Sequence, residues 1–141
     1  MILLLYRVGV NMPSLTTIFY MNAKPEEHLI FSLAVKEVLP EARVRTFYEP
    51  EEVISYFDMD QVLIPDIVFL DENMFQTPNN QFLRDFVALS KLRRVTVVIY
   101  SDKMVSPEMP ESMFPGRYKY LGRPVSYEDI LQSLVSVIEW F

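Results

Sequence analysis

Cysteine is absent from the 141-residue sequence, and glycine occurs only three times. The absence of thiols excludes a disulfide scaffold, a thiolate zinc site and catalysis by a cysteine nucleophile. The glycines stand at positions 9, 116 and 122, and no two of them are close enough to build a glycine-rich loop around a phosphate. The sequence therefore offers neither thiol chemistry nor a glycine-rich nucleotide loop.

Positive charge is also scarce, because thirteen Lys and Arg stand against nineteen Asp and Glu, for a net charge of −6. Six of the acids lie between Glu49 and Asp66, a stretch without Lys or Arg. Since nucleic-acid surfaces need clustered cations, we expect no nucleic-acid partner. No apolar run reaches the ~18 residues of a membrane span, and the apolar segment 1–10 lacks the basic flank of a signal peptide. We therefore expect a cytoplasmic protein without a membrane partner.

The chain contains a regular alternation of two patterns over a length suited to one domain. β-Branched and aromatic runs predict five strands, at 16–21, 43–48, 66–71, 95–100 and 118–121. Segments with helical spacing predict five helices, beginning near Pro25, Glu49, Asn79, Ser106 and Ser126. The first of these helices is predicted to bury Leu29, Ile30 and Leu33 with later apolar residues. Such alternation predicts an α/β fold, a single doubly wound (βα)5 domain with a five-stranded parallel sheet flanked by helices.

Chemically capable side chains follow three of the predicted strands where each strand ends. Asp71 ends the third strand, Ser101 follows the fourth, and Arg123 follows the fifth. Because carboxyl ends of parallel strands meet at one edge of a sheet, we expect these three side chains to converge. Together they could hold a phosphoryl group, with Asp71 as nucleophile, Ser101 bonding a phosphoryl oxygen and Arg123 balancing charge.

These residues stand in three stretches, Pro65–Met74, Val97–Ser101 and Tyr118–Pro124. In order and spacing the stretches resemble the phosphoacceptor strand, hydroxyl strand and Lys-Pro turn of the receiver domain of two-component response regulators. The resemblance covers residues 15 to 140 and implies a flavodoxin-like receiver topology.

By this resemblance Asp71 would be the phosphoacceptor. Ser101 would be the hydroxyl that senses the phosphoryl group, and Tyr120 the aromatic that changes rotamer with it. Asp71 and the backbone carbonyl of Asn73 would be Mg²⁺ ligands. A sensor histidine kinase or phosphotransfer protein would supply the phosphoryl group, and a downstream protein would receive the signal.

The sequence departs from the receiver pattern at the positions that handle charge. Asn22 and Ala23 replace the adjacent acids that help such domains hold Mg²⁺, and Arg123 replaces their lysine. Mg²⁺ prefers anionic oxygen ligands, so we expect weak binding of the cation. A guanidinium can instead engage Asp71 in a bidentate pair that needs no metal. Glu72 or Asp102 would either replace a lost ligand or remain a solvated rim residue.

The resulting expectation is a stand-alone receiver-like domain, not an enzyme, that acts in phosphorelay signal transduction by protein–protein interaction with weakened phosphorylation. The alternative is a fully degenerate scaffold that works without phosphorylation. A phosphatase with an aspartyl nucleophile is a remote alternative, because Asn73 stands where a second acid is needed. A flavin-binding module is disfavoured because the loop after the first strand lacks the glycines and hydroxyls that would hold a phosphate.

Three further segments carry expectations of their own. Residues 1–14 are predicted to be an N-terminal extension, either an edge segment or an artefact of a start upstream of Met12, and residues 15–141 the domain itself. The Met-rich region Met104–Phe114 is expected to fill the core, or to form a homodimer surface with the last helix. The single histidine, His28, is expected to be solvated or packed against its helix.

Overall fold

The computed structural model describes residues 16–75, 85–86, 94–102 and 117–140. One sheet of five parallel strands runs through this part of the chain, in the order β2-β1-β3-β4-β5. The strands are β1 (Thr17–Met21), β2 (Arg43–Phe47), β3 (Ile67–Asp71), β4 (Thr96–Ser101) and β5 (Arg117–Gly122). The helices within the described residues are α1 (Pro25–Val38), α2 (Pro50–Phe57) and α3 (Tyr127–Trp140), and a 3-10 turn covers Glu72–Phe75.

The predicted parallel five-stranded sheet is confirmed, and its strand order is that of flavodoxin-like doubly wound folds. The helix predicted from Asn79 lies outside the described residues except for positions 85–86, which are helical. The helix predicted near Ser106, the Met104–Phe114 region and the extension 1–14 also lie outside them. Among the described helices, none is both long enough and apolar enough to cross a membrane.

The middle strands are apolar because helices cover the sheet on both faces. All five residues of β3 are buried, as its uninterrupted apolar run predicts. Alternate β3 side chains enter two separate cores: Val68 and Leu70 pack on the α2 side, whereas Ile67 and Phe69 pack on the α1 and α3 side. This two-sided burial fixes the register of the sheet, since a shift by one residue would exchange the two sets.

The buried face of α1 differs from the prediction. Leu29 and Leu33 are 66% and 52% exposed, and Ile30 is 37% exposed, so all three lie on the solvent side. The helix instead buries Phe31, whose ring stacks on that of Tyr20 with a centroid separation of 4.0 Å. Apolar residues occur almost all the way around α1, so their spacing alone did not identify the buried face. The packing of the large aromatic ring against β1 decides it.

Side chains fix the first turns of two helices that begin near their predicted positions. The Glu52 side chain accepts a hydrogen bond from the backbone N–H of Glu49 at 3.1 Å, which closes the first turn of α2. The hydroxyl of Ser126 accepts the backbone N–H of Asp129 at 3.1 Å and caps α3, as predicted. These contacts therefore fix where both helices begin, at the carboxyl edge of the sheet.

Candidate functional site

The carboxyl ends of four strands bring the candidate residues to one edge of the sheet. In the register, Asp71 of β3 is opposite Tyr100 of β4, and Ser101 is opposite Gly122 of β5. Arg123 directly follows β5, and its backbone N–H donates to the Ser101 carbonyl at 3.0 Å. The convergence expected from parallel strands is therefore present.

Asp71 and Arg123 form a bidentate ion pair. The Nε–H of Arg123 donates to Asp71 Oδ2 at 2.6 Å, and its Nη2–H donates to Asp71 Oδ1 at 2.8 Å. The backbone N–H of Asn73 also donates to Oδ1, at 2.9 Å. The Asp71 side chain is only 8% exposed and that of Arg123 is 24% exposed, so water screens this pair weakly. Both carboxylate oxygens of the candidate nucleophile thus already accept hydrogen bonds.

Arg123 contacts a second carboxylate with its remaining nitrogen. Its Nη1–H donates to Asp102 Oδ1, and the Asp102 side chain is 68% exposed. The hydrogen bonds with Asp71 raise the pKa of the Arg123 guanidinium above its ordinary value, so the cation is permanent. Of the two alternatives expected for Asp102, the structure therefore has the solvated rim residue, and this residue also pairs with the cation that neutralises Asp71.

Asn22 directly follows β1, and both polar atoms of its amide make local hydrogen bonds. Its Nδ2–H donates to the hydroxyl of Tyr20 at 3.0 Å, and its Oδ1 accepts the backbone N–H of Lys24 at 2.9 Å. Asn22 is buried, whereas the next residue, Ala23, is exposed. The first loop of the site is therefore held by neutral hydrogen bonds and contributes no negative charge.

The side chain of His28, in α1, contacts this loop. His28 is 5% exposed, and its Nε2–H donates to the backbone carbonyl of Asn22. Its ring stacks on Tyr48 with a centroid separation of 4.0 Å, and its buried Nδ1 has no hydrogen-bond partner in the part of the chain that the structure describes. Of the two alternatives expected for His28, the structure has the packed one. Its link to Asn22 was not foreseen, and its position one helical turn after the loop is the only sequence signal for it.

The other predicted site residues lie nearby in different environments. Ser101 is 2% exposed at the end of β4. Tyr120 packs against the core on the α2 side, and its buried hydroxyl has no hydrogen-bond partner among the described residues. Burial and the neighbouring Glu72 carboxylate raise the pKa of the Tyr120 phenol to about 12. The structure thus brings Arg123 directly onto Asp71, whereas the partly buried Tyr120 side chain packs against the hydrophobic core.

A cavity of about 120 Å³ opens beside the ion pair. Besides the predicted residues, its walls include Tyr20 from β1 and Glu27 from the first turn of α1. Sequence reasoning did not assign these two side chains to the site. Glu27 could have been found from its position in the turn that follows the β1 loop, since helices of this fold begin at the same edge.

The residues of the site fit a magnesium ion poorly. Both oxygens of Asp71 accept N–H groups, and neither Asn22 nor Ala23 supplies the anionic oxygen that Mg²⁺ prefers. Within the ranges that the structure describes, no cluster of three acidic or histidine side chains could hold a metal ion. The Asn73 backbone lies beside Asp71, but the Arg123 guanidinium already supplies the positive charge there.

Searches by sequence found no relative, since no family model and no curated protein matches the chain. Solved structures are similar in fold. A response regulator of red light signaling in R. palustris is 18% identical, with a TM-score of 0.69 over 89% of this chain and 93% of that one. The chemotaxis response regulator CheY4 of Vibrio cholerae is 15% identical, with a TM-score of 0.65 over 87% of this chain and 98% of that one.

A third similar structure is the receiver domain of a sensor histidine kinase from Pseudomonas aeruginosa, solved with a magnesium ion coordinated in its active site cleft. It is 14% identical, with a TM-score of 0.61 over 88% of this chain and 98% of that one. At such low identities the likeness establishes the fold. This chain has the receiver fold, as its sequence motifs predict.

Proposed function

We propose that this chain is a receiver-fold signalling domain that acts by protein–protein interaction in phosphorelay signal transduction, with weakened Mg²⁺-dependent phosphorylation of Asp71. The observation that carries the proposal is the bidentate pair between Asp71 and Arg123. In this pair a fixed guanidinium supplies the positive charge that a bound cation would otherwise supply. The site is therefore neutralised before any phosphoryl donor arrives.

The ion pair hinders phosphorylation for two physical reasons. In the reaction an oxygen of Asp71 forms a new bond to phosphorus, while the bond from phosphorus to the donor's leaving group breaks and the leaving group departs with its electron pair. The attacking oxygen must first give up a charge-assisted hydrogen bond from Arg123. The donor is anionic as well, and Asn22 and Ala23 do not supply the acids that would hold a divalent cation to relieve its repulsion from the carboxylates of the site.

A scaffold that is independent of phosphorylation is the second candidate function. It is favoured by the third contact of Arg123, which ties Asp102 after β4 to Asp71 at the end of β3. Such a link holds the loops after three strands together whether or not a phosphoryl group is present. The two candidates differ in whether Asp71 forms any adduct at all.

The proposed partners follow from the same assignment. A sensor histidine kinase or phosphotransfer protein would act on Asp71, and a downstream protein would recognise the resulting or constitutive state. A homodimer through the α3 face and residues 104–114 is an additional arrangement, and light scattering of the wild type against Met109→Asp tests it. An unchanged monomer mass in both proteins would count against that arrangement.

We also propose that the chain is not an enzyme with turnover of its own. A phosphatase that uses Asp71 as nucleophile would need a nearby acid to protonate the leaving group. The residue two positions on is Asn73, whose side chain is exposed and cannot donate a proton in this way. Turnover of a generic phosphomonoester that is abolished by Asp71→Asn would refute this assignment.

Intact mass after incubation with a small phosphodonor and Mg²⁺ tests the proposed function. We expect a minor adduct for the wild type and none for Asp71→Asn. The variant Asn22→Asp/Ala23→Asp/Arg123→Lys restores the acidic pair and the lysine, and we expect a much larger adduct from it. A near-complete single adduct on wild-type Asp71 would contradict weakened phosphorylation, and the absence of any adduct would favour the phosphorylation-independent scaffold.

A further inference from the structure

The loop between α2 and β3 exposes several apolar side chains close together in the sequence. Met59 is 55% exposed, Leu63 is 41% exposed and Ile64 is 42% exposed. An open concavity is lined by residues 60–64 of the same loop. We call residues 59–64 the loop surface. Clustered apolar exposure of this kind is typical of an interaction site rather than of scattered surface residues.

Hydrogen bonds with the Tyr56 hydroxyl hold the loop surface in its exposed conformation. The hydroxyl of Tyr56 accepts the backbone N–H of Leu63 at 2.8 Å and donates to the carbonyl of the same residue at 3.1 Å. The Tyr56 ring is fixed in turn by an edge contact with Phe19, whose centroid is 5.5 Å away, and by the Arg45 guanidinium at 4.5 Å from the ring centroid. Pro65, which follows directly, is buried and restricts the backbone further. The apolar side chains are thus presented outward by a fixed backbone.

The charged side chains within the loop surface and directly before it are acidic. Asp58 and Asp60 are exposed beside Met59, and the whole stretch 49–66 has six acids and no Lys or Arg. The acid at its end, Asp66, is committed to the fold, because its Oδ2 accepts the backbone N–H of Thr17 at 2.8 Å. The guanidinium of Arg45 lies over the Tyr56 ring. An apolar centre with an acidic border therefore faces solvent.

We propose that the loop surface docks a basic amphipathic segment of a partner protein, with apolar residues that cover Met59, Leu63 and Ile64 and with Lys or Arg side chains toward Asp58 and Asp60. Apolar burial supplies affinity at the centre, while the acidic border selects cationic partners and speeds their association. The same border disfavours a second copy of this chain, whose net charge is −6, and it disfavours an anionic membrane.

This docking site is independent of the function proposed for Asp71. The loop enters β3 at its amino end, whereas Asp71 is the last residue of the strand. At ~3.3 Å per residue, the five-residue strand separates the two regions by roughly 15 Å. A partner on the loop surface would leave the ion pair accessible, so either proposal can fail without the other.

The test uses the full chain and a synthetic helical peptide of interleaved Leu and Lys, compared with a peptide in which every Lys is Glu. Amide chemical shifts locate the binding, and a titration gives the dissociation constant. The test variant is Leu63→Ser/Ile64→Ser, with Asp58→Asn/Asp60→Asn as a second variant that leaves the apolar residues in place. The matched control is Leu29→Ser/Leu33→Ser, which removes two apolar residues of α1 that are more exposed than Leu63 and Ile64. Circular dichroism verifies that each variant is folded.

We expect the Lys peptide to shift the amides of residues 58–64, with binding about tenfold weaker for Leu63→Ser/Ile64→Ser. Binding of the Asp58→Asn/Asp60→Asn variant should be weaker and less sensitive to salt, and the α1 control should bind as the wild type does. No binding, equal binding of both peptides or shifts confined to α1 would overturn the proposal. Dimerisation that is lost in Leu63→Ser/Ile64→Ser, or binding to anionic phosphatidylserine vesicles, would also overturn it.

Discussion

Removing the Arg123 guanidinium should destabilise the fold because it strands a buried carboxylate. In Arg123→Met, the Asp71 side chain, 8% exposed in the wild type, retains only the backbone N–H of Asn73 among the donors described above. Breaking a buried ion pair from one side costs about 3–5 kcal/mol. The Arg123 side chain is itself 24% exposed, so water can enter the space that the guanidinium leaves and partly solvate the Asp71 carboxylate. We therefore expect the free energy of unfolding to fall by about 2–3 kcal/mol.

Urea denaturation of four proteins measures this value: the wild type, Arg123→Met, Asp71→Asn and the double variant. Because the double variant has no stranded charge, its loss should be smaller than the sum of the two single losses, with a coupling energy of about 2 kcal/mol. Asp102→Asn is the control, since that side chain is 68% exposed and its pair should contribute less than about 1 kcal/mol. Additive losses in the cycle, or single losses below about 0.5 kcal/mol, would refute the reasoning.

Two further predictions concern the core and the tyrosines. Phe31→Ala should lower the free energy of unfolding by about 3–5 kcal/mol, whereas Leu33→Ala should change it by less than about 0.5 kcal/mol. Urea denaturation measures both values. Equal losses would mean that α1 also buries the face that carries Leu33. Burial raises the pKa of the Tyr20 and Tyr100 phenols and raises that of Tyr120 to about 12. Their neutral forms therefore stabilise the native state fully below the unfolded pKa of about 10, and this stabilisation is lost as pH rises toward the native pKa values. Tyrosinate absorbance at pH ~11 should be lower for the native than for the urea-unfolded chain, and superimposable titrations would contradict these pKa shifts.

The sheet could be predicted because the composition of its central strands indicates burial on both faces. The apolar runs that became β3 and β4 are buried on both faces, and no amphipathic alternation competes with that reading. The buried face of α1 could not be predicted in the same way. Leu29 and Leu33 have the spacing of a core stripe, yet the space under the helix is filled by Phe31 stacked on Tyr20. Only the shapes of both partners decide which stripe is buried.

The central contact of the site was also predictable, because strand ends converge and a guanidinium matches a carboxylate in geometry. These two facts, together with the receiver resemblance that places Arg123 at the lysine position, led to the expected pair between Arg123 and Asp71. The contact with Asp102 was not predictable, since nothing in a sequence distinguishes an acid that turns toward a cation from one that turns to water. The contact of His28 with the carbonyl of Asn22 was hidden for another reason, because it depends on how α1 leaves the loop.

The most direct test of the account is an experimental structure determined from crystals grown in excess MgCl₂. The central claim is that a guanidinium, and not a metal ion, neutralises Asp71. We therefore expect Arg123 to keep both hydrogen bonds to the Asp71 carboxylate, with no cation bound to either carboxylate oxygen. A magnesium ion coordinated by Asp71 and the backbone carbonyl of Asn73, with the Arg123 side chain displaced from the carboxylate, would contradict the claim.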